Sequence, residues 1–245
     1  MHKRPLFSRH AREKENGGRR DYEIQRIETF SDGVFAFAVT LLIVSLQVPQ
    51  NFEELLTNMR GFFAFGISFA LLVSIWTEQH KFFRNYGLDD GWTITLNGAL
   101  LFIVLFYTYP LKFLFTLLFS NQIYGANKSP LTITLQQMPT LMMIYALGFI
   151  AIYSLFLLMY FRANRKSVEL GFTPLEKFDC KSSMYRTLIM AITGLCSLVF
   201  AFLAPVKYAG LAGLIYVLIT PALTIFYTFR KRNRKKLFPE TAKAA

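Results

Sequence analysis

Six stretches of the chain are apolar for long enough to cross a bilayer, and the polar residues gather between them. About 20 helical residues cover roughly 30 Å of hydrocarbon. The pattern predicts helical spans over 27–48, 61–83, 93–116, 140–161, 185–204 and 208–229. Residues 1–20 and 231–245 are polar or charged with little periodic apolar content and read as disordered basic tails around a six-helix transmembrane unit at 21–230. The connection 117–139 has a polar middle, Ser120 to Gln137, and reads as a loop or partial helix. Met1 to Arg26 holds no apolar core, so no cleavable signal peptide is expected and the first span should remain as an anchor.

Charge orients the spans. Of 27 Lys and Arg, eight lie in 1–26, two are Lys81 and Arg84, six fall between Arg162 and Arg186, and seven follow from Arg230. Only Arg60, Lys112, Lys128 and Lys207 fall on the other side. Basic residues near span ends resist translocation. The alternation therefore predicts an all-α integral membrane protein of six crossings with both termini cytoplasmic. Lys112, beside Pro110, is expected to snorkel to the headgroups.

Composition agrees with lipid as the solvent: 53% of the 245 residues are hydrophobic, 26 are Phe, and 17% are charged. A net charge of +12 points to nucleic acid or to an anionic membrane face. Because the basic runs adjoin long apolar segments, the membrane accounts for them and no nucleic acid is expected. The run Arg230–Lys236 is placed to meet anionic lipid. Cys180 and Cys196 fall at different depths, so no disulfide is expected. His2, His10 and His80 are dispersed, and no metal-ligand spacing or nucleophile–base pair is visible, which argues against an enzyme and against a resident metal or cofactor. The polar start of the first span has no counterpart at the start of the fourth, so the chain lacks an internal repeat. A pore would then need several identical chains around it.

The most informative stretch is RIETFSDGVFAFAVTLLIVSLQVP, which puts Ser31 and Asp32 at one mouth of an otherwise apolar helix. A carboxylate there needs another charge, water or a role in transport. Alternatively Thr29 or Ser31 caps the helix and Asp32 meets its positive N-terminus. The residues alone leave both readings open. Arg26-x-x-x-Phe30-Ser31-Asp32, then Gly-Val-Phe-Ala and Thr40-Leu41-Leu42, resembles the signature of the endolysosomal potassium channel family and its single-repeat bacterial members. Trp76 to His80 resembles that family's Trp/His element on the second helix, and Asn97 also resembles a family position.

The resemblance implies a bacterial plasma (inner) membrane channel, a homotetramer whose first helix lines a central potassium pathway. It implies narrowing at aliphatic rings, with a hydroxyl ring in some members and no re-entrant filter loop; no TVGYG-type segment occurs here. Phe37, Thr40, Leu41 and Val44 share one helical face and are the expected pore-lining residues. Phe37 stands where the family usually has an aliphatic residue. Arg26, Phe30, Ser31, Asp32, Trp76, His80 and Asn97 would form a structural cluster at the cytoplasmic mouth. Glu78 reads as part of a solvated helix end. The competing readings are a proton- or ion-coupled transporter using Asp32, and a non-conducting membrane scaffold.

Overall fold

The computed structural model describes residues 18–44, 49–124 and 133–238, the side chains of residues 18–25, Val44, Asn121, Gln122 and Lys235 excepted. The elements are α1 (Gly18–Val44), α2 (Phe52–Arg60), α3 (Phe62–Tyr86), α4 (Gly91–Leu118), α5 (Ser120–Tyr124), α6 (Met138–Arg165), α7 (Pro174–Leu203) and α8 (Ile219–Leu237). A 3₁₀ turn, Leu135–Gln137, leads into α6, and a longer 3₁₀ stretch, Val206–Leu218, leads into α8. Among the described residues, five helical segments are long and apolar enough to cross a membrane: Phe52–Tyr86, Gly91–Leu118, Leu135–Arg165, Pro174–Leu203 and Val206–Arg234. The chain is a multi-pass membrane protein, and α1 adds a further long helix that carries Glu28 and Asp32 among its apolar residues.

Local sequence signals set the boundaries. Asn51 caps α2 by accepting from the Glu54 amide at 2.8 Å, while Glu54 accepts from the Gln50 amide at 2.7 Å. Gly87 ends α3 with φ 52°, a left-handed conformation that a side chain disfavours. Thr173 and Glu176 form a capping box at the start of α7, with Pro174 in its first turn, where a missing N–H costs nothing. Gly148 permits close approach of α6 to α4, since a Cβ added there would lie 2.1 Å from the Tyr107 ring. That contact is reinforced by Tyr107 donating to the Tyr145 carbonyl and Tyr145 to the Pro110 carbonyl, both at 2.7 Å.

α1 lies against α3 and α4; α4 also packs on α6, and α6 on α7, and the 3₁₀ stretch packs on both α6 and α7. Phe35, Ala38 and Leu42 of α1 join Leu72, Phe82, Leu100, Val104, Ile152 and Phe156 in one buried cluster. Burying such side chains stabilises by about 1.5–3 kcal/mol each in water. Inside lipid the gain comes from packing instead.

Three expectations change. α1 begins at Gly18 rather than near residue 27, so Thr29 and Ser31 lie inside the helix and neither caps it. The helix expected at 61–83 is preceded by the polar helix α2, with only Gly61 between α2 and α3. α8 continues to Leu237, carrying the basic run on a helix. There Arg230 donates to Ser182 at 2.8 Å and to the Phe178 carbonyl at 2.9 Å, and lies 3.8 Å over the Phe178 ring. Arg234 faces Asp179 at 3.7 Å. Helical continuity is possible because Lys and Arg are good helix formers.

Candidate functional site

A chain of side-chain hydrogen bonds ties α1 to α3 and α4. Ser31 is fully buried and donates to the Ile27 carbonyl at 2.8 Å, which frees its oxygen to accept from the Asn97 amide at 3.0 Å. Asn97 in turn accepts from Gln79 at 3.1 Å. One turn of α3 away, the Trp76 indole donates to Asp32 at 2.7 Å and stacks on His80, with ring centroids 5.6 Å apart. Thus Ser31, Asp32, Trp76, His80 and Asn97 are brought together, with Gln79 as a sixth member. Gln79 was visible in principle, since it lies three residues from Trp76 and shares its helical face. Arg26 and Phe30 are exposed on α1, Phe30 at 67%.

α1 has two distinct faces. Ser31, Phe35, Ala38 and Leu42 recur at intervals of four, three and four, and are all buried against α3 and α4. Phe37, Thr40 and Leu41 are exposed, Phe37 at 56% and Leu41 at 39%. The Thr40 hydroxyl donates to the Ala36 carbonyl at 2.9 Å, which uses its only proton and leaves the oxygen lone pairs for an outside partner. The side chain of Val44, the fourth expected member of this face, falls outside the described residues.

Two other polar residues correct the sequence reading. Glu78 is not at a solvated helix end: it is 7% exposed and accepts from both Tyr160 and Arg186, tying α3 to α6 and α7. The carboxylate reaches these partners because the end of α3 is covered by neighbouring helices. Lys112 does not simply reach for headgroups; its ammonium donates to the Leu42 carbonyl of α1 at 2.7 Å.

At the start of α4, Asp90 accepts from Thr93 at 2.7 Å and from Arg162 at 3.1 and 2.9 Å. Burial alone would raise the Asp90 carboxyl, but donation by Thr93 and Arg162, with Lys166 nearby, outweighs it and holds the group below its ordinary range. A depressed folded pKa adds stability above the unfolded value, about 3.9, which is lost as pH falls through the folded one. Asp90→Asn should therefore lower the melting temperature at neutral pH. The gap to the unsubstituted protein should close below about pH 4.

No group of three His, Cys, Asp or Glu that could hold a metal is found among the described residues.

Comparison with known proteins places this arrangement. Residues 26–107, from Arg26 into the middle of α4, match the model of the endosomal/lysosomal potassium channel TMEM175. A potassium channel of Marivirga tractuosa is 38% identical over 226 residues, covering 88% of this chain and 91% of that protein. A shorter match, 38% identical over 96 residues, is to a potassium channel of Chamaesiphon minutus, covering 36% of this chain and 47% of that one. Among solved structures, the potassium channel MtTMEM175, crystallised as a variant with a nanobody fusion, superposes with a TM-score of 0.74 at 38% identity, covering 84% of this chain and 93% of that chain. A lysosomal potassium-selective channel homologue from Chamaesiphon minutus gives 0.55 at 25% identity, covering 85% and 98%. On the 38% identity to the Marivirga tractuosa protein over most of both chains and the shared helical fold, this chain belongs to the TMEM175 family of potassium channels, not to an enzyme family.

Proposed function

We propose that the chain is one subunit of a homotetrameric, potassium-preferring channel whose passive conducting path is lined by α1. The observation that carries this is the division of α1: one face is buried in its own subunit, and the other leaves Phe37, Thr40 and Leu41 uncovered. Four copies facing an axis would stack a ring of Thr40 oxygens, their protons already committed, beside constrictions at Leu41 and Phe37, with Val44 one turn beyond Thr40. Such a path replaces part of an ion's water with hydroxyl oxygen and gates by dewetting at the apolar rings.

The cluster of Ser31, Asp32, Trp76, His80 and Asn97, with Arg26 and Phe30 beside it on α1, serves as scaffolding at the cytoplasmic mouth. Its pairing supports that role, since the Asp32 carboxylate already accepts from Trp76. Six crossings with both termini cytoplasmic fit the contacts, because the ends that meet at Asp90–Arg162 and Arg230–Ser182 all lie on the basic side of the charge pattern. We place the protein in a bacterial plasma membrane, with residues 1–20 a basic tail and the exposed basic residues of α8 beside anionic lipid.

Potassium flux into liposomes, with sodium as comparator, tests the reading. The expected result is fast flux favouring potassium, with Thr40→Ala lowering the preference and Leu41→Ala raising flux. Asp32→Asn should leave a passive leak in place. Slow, stoichiometric flux that vanishes in Asp32→Asn would instead identify a coupled transporter, and no flux from intact oligomers would identify a scaffold.

A further inference from the structure

The second polar contact between α1 and α4 has no place in the scaffold just described. Lys112 is half-buried on α4, in the segment farthest from the Asn97 contact, and its ammonium reaches the Leu42 carbonyl in the last described turn of α1. A helical carbonyl carries a second lone pair, which can accept from a donor outside its own helix. A charge among apolar helices is costly unless it finds such an acceptor. α4 therefore holds α1 at two polar points, Asn97 on Ser31 and Lys112 on Leu42, with Phe35 and Ala38 packed between them. One attachment leaves the opposite end free to rotate or slide. Two fix both register and rotation.

The residues beside the second attachment are Thr40 and Leu41, which lie on the uncovered face of the same turn as Leu42. We infer that Lys112 is a positioning residue for ion selection: its ammonium holds the outer end of α1 on α4 and so keeps the Thr40 oxygens and the Leu41 side chains at their working radius. This rests on the reading that α1 lines the path. Lys112 touches no conducted ion and acts through the backbone of α1.

The test is the bi-ionic reversal potential, potassium against sodium, in purified oligomers reconstituted into planar bilayers. Lys112→Met keeps the length and removes the donor. It should lower the potassium-to-sodium permeability ratio several-fold while flux persists. Lys112→Arg, which keeps a charged donor of similar reach, should retain the ratio of the unsubstituted channel. Lys112→Gln, with a shorter uncharged donor, should shift the ratio in the same direction as Met by a smaller amount. If Lys112→Met fails to assemble, the Gln variant decides, and an unchanged ratio there overturns the inference. An unchanged ratio in both, or an equal loss in Lys112→Arg, also overturns it. Thr40→Ala measured alongside separates the two levels: if it shifts the ratio and Lys112→Met does not, only the clamp is wrong. If neither does, the reading of α1 as the conducting helix has failed, and the clamp with it.

Discussion

Replacing Glu78 by Gln should destabilise the protein by about 3–5 kcal/mol, the cost of leaving one member of a buried ion pair without its partner. Glu78 and Arg186 have side chains only 8% and 24% exposed, and Tyr160 donates to the same carboxylate oxygen. The Gln amide can still accept from Tyr160, so the loss falls on the Arg186 guanidinium, which needs a charged or multiple acceptor. Thermal melting of the detergent-solubilised oligomer reads the effect. Arg186→Met added to the Gln variant should recover much of the lost stability, because it removes the stranded charge. A double-mutant cycle would then give a coupling well outside the error for independent sites. Protein that survives the single substitution should still pass potassium, since the partners of Glu78 lie on α6 and α7 and not on α1. Near-normal melting of the Gln variant would mean that the pair is not buried in the assembled protein, and folded protein without flux would put Glu78 in the conduction mechanism.

The contrast between what the chain announces and what it conceals follows from the range of each interaction. Apolar runs are local, so the segments that became α3, α4, α6 and α7 can be found by scanning a window along the sequence. The start of α1 cannot: from Gly18 to Arg26 the helix is polar, and no apolar stripe marks it. The division of α1 into two faces is visible as spacing, but spacing alone does not say which stripe meets the protein's own core. Ser31, Phe35, Ala38 and Leu42 form one stripe, Phe37, Thr40 and Leu41 another, and the packing of α3 and α4 assigns them. Asp32 stood out as a carboxylate at the mouth of an apolar helix, whereas Trp76 and Asn97 were singled out by family resemblance rather than by any rule of charge or period. Glu78 went unrecognised because its partners, Tyr160 and Arg186, lie on two later helices. Lys112 was misread for a different reason. Its acceptor is a backbone carbonyl, which every residue possesses and no sequence pattern marks.

Asn97→Leu should be the substitution that separates stability from ion passage most sharply. The asparagine is 3% exposed and uses both ends of its amide, donating to Ser31 and accepting from Gln79, which is itself 1% exposed. Leucine fills the same volume but supplies neither group. The Gln79 donor is then stranded in an apolar surrounding, a cost of about 1–3 kcal/mol, while the Ser31 hydroxyl still donates to the Ile27 carbonyl and loses less. Asn97→Leu combined with Gln79→Leu removes the stranded amide and should return the melting temperature most of the way. Ion passage should not return with it. The contact between Ser31 and Asn97 fixes the rotation of α1 at its inner end, and Thr40 lies on the same rigid helix, so a small turn there is carried along to the Thr40 face. The expected outcome is a double variant that melts nearly as the unsubstituted protein does yet favours potassium less. Recovery of both properties would reduce the Ser31–Asn97–Gln79 chain to an ordinary packing contact; recovery of stability alone would show that the cluster sets the orientation of the conducting helix.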